Sequence, residues 1–328
     1  MPDQLLYAME VTANGLMSGV LYALVALGFV LIYKASGIFN YAQGVMALFA
    51  AMTLVGIMDG QVPFSHLINA MLGTEVQHFG WHLPGFLAIL LTMVVMVGLA
   101  WCVQQFVMRH LIGQQPIILF MATIGLAYFL EGLSDLMWGS EIRKLDVGLP
   151  QGINETIDSV TFGLFGYGFF IDNLDIVATV IAALLVIALV AFSQYTKQGR
   201  AMRAVADDHQ AALSVGISLN FIWVMVWSVA GFVALVAGIM WGTKSGVQFS
   251  LSLIALKALP VLMLGGFTSI PGAIVGGLII GVGEKLFDFF LGPMLGGATE
   301  NWFAYVLALL FLVFRPQGLF GDKIIERV

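Results

Sequence analysis

Few side chains in this sequence stand at spacings that could support chemistry. His66, His78 and His82 lie close together, but the glycine–tryptophan pair between the last two weakens a helical metal-binding face, and we predict no metal site. There is no H-E-x-x-H motif and no convincing nucleophile with a base. There is also no G-x-x-x-x-G-K followed by Ser or Thr, since the nearest stretch, GIMWGTKS, has Thr243 in place of the second glycine. We therefore expect no catalytic residue, no cofactor bound by this chain and no ATP hydrolysis by a phosphate-binding loop within it.

Polar side chains at a break between two apolar runs are candidates for a solute pathway. The stretch GIFNYAQG carries Asn40, Tyr41 and Gln43 between Gly37 and Gly44, and the two glycines would let a helix unwind there. Polar residues within membrane spans are costly in lipid, so they usually face protein or water. We predict these three side chains as translocation-pathway residues, with hydrogen bonding between helices as the alternative role.

Ionisable side chains also fall inside apolar stretches. We expect Lys257 to extend its charge to the outer membrane interface, with a position near the solute pathway as the alternative. We expect Lys285 to neutralise Asp288, which lies three residues further along a helix. Ion-coupled transporters commonly use acidic residues within their spans. The acidic residues available for that role are Glu131, Asp135, Glu284 and Asp288.

The elements that must position these residues are membrane helices. Of the 328 residues, 60% are hydrophobic and 10% charged, and the mean hydropathy is +0.98, whereas a soluble domain has about 25% charged residues. Thirteen Lys and Arg residues leave no basic surface suited to nucleic acid, and a single cysteine excludes an intramolecular disulfide framework. The amino terminus lacks the positive region of a secretory signal, so we expect the first helix to stay in the mature protein.

Nine apolar segments follow one another along the chain. Two of them, 44–58 and 254–267, are short for a span of about 20 residues, and either could be re-entrant. We predict an all-α, polytopic transmembrane bundle of about eight or nine segments, with residues 1–328 forming a single transmembrane domain. The segments are 12–33, 44–58, 84–107, 116–138, 175–196, 221–242, 254–267, 272–290 and 302–315.

The distribution of positive charge predicts the orientation. Lys and Arg in short loops stay on the cytoplasmic side, and nine crossings from an outer amino terminus give an eight-to-three split that favours the inside. We therefore expect the amino terminus outside and the carboxyl terminus in the cytoplasm. The inner residues would be Lys34, Arg109, Lys197, Arg200, Arg203, Arg315, Lys323 and Arg327, and the outer ones Arg143, Lys144 and Lys244.

Glycines recur four residues apart in several of these segments. Residues four apart share a helix face, and removing their side chains lets another helix approach closely. We expect close helix packing, although helices that slide past each other need the same smooth faces. The pairs are Gly15 with Gly19, Gly238 with Gly242, Gly272 with Gly276, and Gly277 with Gly281.

One stretch, TKQGRAMRAVADDHQAALSVGIS from Thr196 to Ser218, interrupts the apolar pattern with charge. Lys197, Arg200 and Arg203 suit the cytoplasmic end of a helix that leaves the membrane, where cations are favoured. A plain solvated loop is the alternative.

The second half of this stretch predicts a short cytoplasmic helix. Asp207 or Asp208 can cap it, HQAALSV can make about two turns, and Gly216 is placed to end it. Such a helix could insert a small apolar surface into a groove of another protein. The surface would be formed by Ala211, Ala212 and Leu213.

Four separated blocks resemble the LivH-type permease subunits of ATP-binding-cassette importers for branched-chain amino acids. The resemblance covers nearly the whole chain. The blocks are GLMSGVLYALVALGFVLIYKASGIFNYAQG, QGRAMRAVADDHQAALSVGIS, LMLGGFTSIPGAIVGGLIIG and FRPQGLFG.

The resemblance to the LivH/LivM type implies a function and a set of partners. Asp207 to Gly216 would lie in the coupling helix, within a cytoplasmic loop 197–220 that docks on the ATPase. The docking residues would be Arg200, Arg203, Asp207, Asp208, Ala211, Ala212, Leu213 and Gly216. The working unit would add a second, LivM-like permease, two cytoplasmic ATPase subunits that bind ATP and Mg, and an extracytoplasmic solute-binding protein. The chain would translocate branched-chain amino acids, or a related urea, amide or small carboxylate, across the bacterial inner membrane. The alternative is a stand-alone ion-coupled secondary transporter or channel.

Overall fold

All nine predicted segments are helical. This computed structural model describes residues 2–73, 78–111, 114–207 and 209–321, and in that part of the chain only isolated β-bridges occur, with no strand. The α-helices are α1 (Pro2–Ser36), α2 (Gln43–Met58), α3 (Ser65–Leu72), α4 (Gly85–Cys102), α5 (Pro116–Trp138), α6 (Glu155–Phe165), α7 (Asn173–Tyr195), α8 (Lys197–Asp207), α9 (His209–Ser214), α10 (Leu219–Ser245), α11 (Ile254–Gly265), α12 (Ile270–Leu295) and α13 (Glu300–Phe314).

Helix length separates the segments that can cross a membrane alone from those that cannot. Among the described residues, five helices are long and apolar enough: α1, α4 with its π-helical and 3-10 extension to Leu111, α5, α7 and α10. The pair α11 and α12, bent by 114° at its break, makes six if it is one span. The predicted all-α membrane bundle is thus confirmed, and the two short segments are a bent limb, α11, and a 16-residue helix, α2.

The chain divides into two compact units whose segments alternate along the sequence. The first comprises Met1–Val30, Leu149–Val190 and Leu256–Val328, and the second comprises Leu31–Gly148 and Ala191–Ala255. Because each unit is built from separated segments, neither corresponds to a continuous half of the chain. The expectation of one transmembrane domain stays a prediction.

Helix α2 is the core of the second unit. It is buried from Gln43 to Gly56 and packs against α4, α5 and α10. The ring of Trp138, at the end of α5, lies directly against Gly56, and its Nε1 donates to Thr53 Oγ1 at 3.2 Å. A helix of 16 residues is too short to span lipid alone. Its burial shows that protein, rather than lipid, covers its apolar surface.

Glycines bring helices into backbone contact in the first unit. A Cβ added to Gly277 of α12 would lie 2.5 Å from the Gly19 carbonyl oxygen of α1, and one added to Gly276 would lie 2.6 Å from the Val261 oxygen of α11. The close packing predicted from the four-residue spacings is present, because a side chain at either position would force the backbones apart.

Ion pairs in the first unit link different helices. Lys257 Nζ lies 2.8 Å from Glu284 Oε1, and Lys285 Nζ lies 2.7 Å from Glu300 Oε1. Asp288 accepts hydrogen bonds from the main chain and hydroxyl of Thr299. The expectation that Lys285 neutralises Asp288 was therefore wrong, and the role of Lys257 at the membrane interface stays a prediction. Both lysines pair with a carboxylate that the folding of the bundle brings near.

Candidate functional site

The charged stretch between α7 and α10 folds into two short helices, α8 and α9, here called the α8–α9 pair. Helix α8 begins after Thr196, whose Oγ1 accepts a hydrogen bond from Gly199 N at 2.9 Å and so caps the new helix. Gly199, Met202 and Val205 form its buried face. The three-residue spacing of these side chains produces an amphipathic helix that packs against α10 within the second unit.

Two basic side chains of α8 fold back and donate hydrogen bonds to the end of α7. Guanidinium groups of Arg200 and Arg203 donate to the main-chain oxygens of Tyr195 and Gln194, in the last turn of α7, at 3.4 and 3.5 Å. The sequence predicted cations at the end of the membrane helix itself. They belong to the next helix, but they still meet the negative end of the α7 dipole.

Helix α9 ends as predicted. Gly216 has φ +82°, its N donates to Leu213 O at 3.0 Å, and Ile217 N donates to Ala212 O at 3.0 Å, so the free carbonyls of the last turn are satisfied. Asp207 is the last residue of α8 rather than a cap of α9, and Asp208 lies outside the described residues.

The exposed apolar surface of this pair differs from the predicted one. Ala212 is 2% exposed and faces the protein interior, whereas Leu213 is 53% and Val215 74% exposed, and Ala211 is also exposed. Because one small residue turns inward, Leu213 and Val215 are the side chains available to a partner. The docking role of these residues stays a prediction.

The helix break between α1 and α2 holds the predicted pathway residues. Asn40 is fully buried, its Oδ1 accepts from Ala42 N at 3.1 Å, and its Nδ2 donates to Gln43 Oε1 at 3.3 Å. Gln43 Nε2 donates to the Ala230 oxygen of α10 at 3.3 Å. The bond from Gln43 to Ala230 joins α2 to α10 and is a contact of the kind that the sequence left open as an alternative, whereas the bonds of Asn40 are local. Tyr41 is 37% exposed and is the candidate whose side chain is open to a solute.

A cavity that the sequence did not predict lies at one end of the second unit. It has a volume of about 720 Å³, within the range of about 300 to 1,000 Å³ typical of ligand pockets. We call it the polar cavity. Its charged and polar lining includes Asp59, Gln61, His78, Asp135, Glu141 and Arg143.

Arg143 is fixed in the wall of the polar cavity by buried partners. Its guanidinium donates to Gln61 Oε1 and to the Trp138 oxygen, and Gln61 Nε2 donates to the same oxygen at 3.2 Å. Burial lowers the pKa of the Arg143 guanidinium from its ordinary value, whereas the nearby carboxylates of Asp59 and Glu141 act to raise it. Gln61 and Arg143 are 82 positions apart in the sequence, so no local spacing indicates that they meet.

One of the three histidines singled out in the sequence lines a described cavity. His78 lines the polar cavity, and the side chain of His66 lies outside the described residues. Within the described part of the chain, no group of three or more His, Cys, Asp or Glu side chains could hold a metal ion.

The described part of the chain contains a set of apolar helices long enough to cross a membrane, interrupted by the polar α8–α9 pair. The model of the family described as "Branched-chain amino acid transport system / permease component" matches residues 11–315. The chain therefore belongs to this family of permease components of ATP-binding-cassette importers, which confirms the resemblance found in the sequence, and it is a multi-pass protein of the inner membrane.

Similar proteins carry the corresponding names. The high-affinity branched-chain amino acid transport system permease protein LivH of Escherichia coli (strain K12) is 28% identical over 332 residues, 100% of both chains. The BraD permease of the same description from Pseudomonas aeruginosa is 28% identical over 337 residues, again 100% of both. A probable LivH of Methanocaldococcus jannaschii is 26% identical over 310 residues, covering 92% of this chain and 89% of that protein.

Proposed function

We propose that this chain imports branched-chain amino acids and that cytoplasmic ATPase subunits drive it through the α8–α9 pair. The observation that carries this proposal is the exposure of Leu213 on α9 and of Val215 in the turn that follows it, between the membrane helices α7 and α10. An apolar side chain on a short helix is the type of surface that fits a groove of another protein. The names of the similar permeases support the solute class.

The proposed complex contains more than this chain. A second, LivM-like permease, two ATPases holding ATP and Mg, and an extracytoplasmic solute-binding protein would complete it. The amino terminus would be outside and the carboxyl terminus inside, an orientation supported by the distribution of Lys and Arg. The break between α1 and α2, with Asn40, Tyr41 and Gln43, would lie along the solute pathway.

Replacing Leu213 with Arg tests the docking role. Full burial of a leucine contributes about 1.5 to 3 kcal/mol, so the exposed half of Leu213 is worth about 1 kcal/mol, and an unpaired charge in the groove adds a penalty of several more. We expect solute-stimulated ATP hydrolysis and ATP-driven leucine uptake in proteoliposomes to fall at least about tenfold. Leu213→Arg suits this test better than a change at Ala212, because Ala212 is buried and a substitution there would disturb folding.

Gln114→Arg is the matched control. Gln114 is exposed, lies in another predicted cytoplasmic connection and gains the same charge. Uptake should be unaffected by this change. If Leu213→Arg kept wild-type uptake and wild-type stimulation of hydrolysis while the chain remained in the membrane, docking through the α8–α9 pair would be disproved.

The stand-alone, ion-coupled alternative predicts uptake by the purified single chain without nucleotide. Two of its four candidate acidic residues, Glu284 and Asp288, are engaged by Lys257 and Thr299, which leaves less support for this alternative.

A further inference from the structure

The polar cavity offers both signs of charge on one concave surface. Arg143 stands on its wall together with three carboxylates, those of Asp59, Asp135 and Glu141. All four residues belong to the second unit. A surface of this kind is suited to a small ligand that itself carries both charges.

The positive group is held in place before any ligand arrives. The guanidinium donates to Gln61, which is 8% exposed, and to the main-chain oxygen of Trp138, which is 2% exposed. The main chain of Arg143 is also paired with Val247 through hydrogen bonds of 3.0 and 2.8 Å. An arginine has five N–H donors, so these two side-chain bonds leave donors for an anionic group while fixing the direction of the fork.

The carboxylates make the cavity acidic overall. Among the described residues of the lining, three carboxylates face one guanidinium group. A ligand with only a carboxylate would be repelled by this excess, and a neutral amide or urea would leave the charges without ionic partners. A ligand with an ammonium group next to a carboxylate matches both parts of the wall.

Apolar side chains complete the lining. Leu67 and Ala70 of α3 and Leu136 of α5 also border the polar cavity. They provide a surface for an aliphatic side chain, and the volume of about 720 Å³ leaves room for water around the ligand.

We propose that the polar cavity is a binding site for a zwitterionic, aliphatic α-amino acid. The carboxylate would be bound by Arg143, the ammonium group by the acidic wall, and the side chain by the leucines. This proposal rests on the proposed function and deepens it, since it assigns a solute-binding site to named residues of this chain. On the predicted orientation, the site would receive the solute at the outer mouth of the permease.

Equilibrium binding to the full chain, purified in nanodiscs with its copurifying subunits and without solute-binding protein, tests the site. The probe is radiolabelled L-leucine at pH 7, with two competitors that each lack one charge: 4-methylpentanoate, which has no ammonium group, and isoamylamine, which has no carboxylate. We expect leucine to bind at least about tenfold more tightly than either competitor, since a charged hydrogen bond contributes about 1.5 to 3 kcal/mol.

Two substitutions should separate the two ends of the ligand. Arg143→Gln should weaken leucine about tenfold and leave isoamylamine unchanged. Asp135→Asn removes an exposed carboxylate, so it should weaken leucine about fivefold and leave 4-methylpentanoate unchanged or improved. Lys144→Gln and Asp146→Asn are matched controls, because both charges are exposed neighbours outside the cavity lining, and neither should alter binding.

The pattern of competition distinguishes the loss of one binding contact from damage to the fold. If Arg143→Gln disturbed the fold, all three ligands would weaken together, and Asp135→Asn would then decide. Absence of saturable leucine binding by the wild-type chain, or equal losses in Asp135→Asn and Asp146→Asn, would overturn the site. ATP-driven uptake with the solute-binding protein, measured after reconstitution of the same purified complex into proteoliposomes, would show whether the importer function itself had failed.

Discussion

Replacing Lys257 with Met should destabilise the protein through the charge it leaves behind. Glu284 is 1% exposed, and its Oε1 accepts from both Lys257 Nζ at 2.8 Å and the Tyr22 hydroxyl at 3.2 Å. The substitution removes the only cation among these contacts. Adding Glu284→Gln to the same chain removes the negative charge while keeping an acceptor for Tyr22.

The size of the effect follows from burial. Breaking a buried ion pair by removing one partner costs about 3 to 5 kcal/mol. Because the Lys257 side chain is 22% exposed, we expect the cost for this pair to be about 3 kcal/mol, at the lower end of that range. An unfolding entropy of about 2.1 cal/mol/K per residue gives about 0.7 kcal/mol/K for 328 residues. We therefore expect Lys257→Met to lower Tm by about 4 °C, and the double variant to recover about half of that loss.

Thermal unfolding of the detergent-purified protein measures these shifts. Lys285→Met is the matched control, because its ion pair with Glu300 is about one-third exposed on both sides and such pairs contribute about 0 to 1 kcal/mol. Its Tm should change by less than about 1.5 °C. A double variant less stable than Lys257→Met would refute the reasoning, since the charge left behind would then not be the cause.

Two further substitutions probe the packing of the first unit. Gly277→Val should prevent the approach of α12 to Gly19 and abolish accumulation of folded protein, because the added atoms meet backbone. Gly132→Val is the control and should accumulate normally, because a Cβ there would meet nothing within 4 Å. Equal yields of the two variants by immunoblot would contradict the close contact. Tyr167→Phe removes the hydroxyl that donates to the buried Glu10 carboxylate at 2.8 Å and should cost about 1.5 to 3 kcal/mol, seen as a Tm about 2 to 4 °C lower, whereas an unchanged Tm would show that the bond contributes nothing.

The positions of the nine apolar helices were predictable from the sequence because each depends on a local apolar run, whereas α3 and α6 were not predicted. The ends of α9 were predictable in part for the same reason: Gly216 adopts a positive φ that favours glycine, which is a local property. The sequence could not show that Thr196 starts a separate helix α8. A threonine within a polar stretch is a common loop residue, and its capping bond depends on the turn that the chain makes after α7.

The charged contacts were not predictable, because they join distant parts of the chain. Lys285 has Asp288 within reach on its own helix, yet it pairs with Glu300. Arg143 has no sequence neighbour that suggests its bond to Gln61. Spacing rules for helices describe only neighbours three or four residues apart, and a bundle brings other residues closer than these.

The contacts of Glu284 determine whether the glycine-lined faces of the first unit can slide past one another. Smooth glycine surfaces on α1, α11 and α12 would permit one helix to slide along another, as the sequence alone allowed. The Lys257–Glu284 pair joins α11 to α12, and the Tyr22 hydroxyl joins α1 to the same carboxylate. A shift by one helical turn of about 5.4 Å would break both contacts and leave Glu284 buried without a partner. In the first unit, therefore, glycine sets the distance between helices and Glu284 fixes their register, which makes these faces packing surfaces rather than sliding ones.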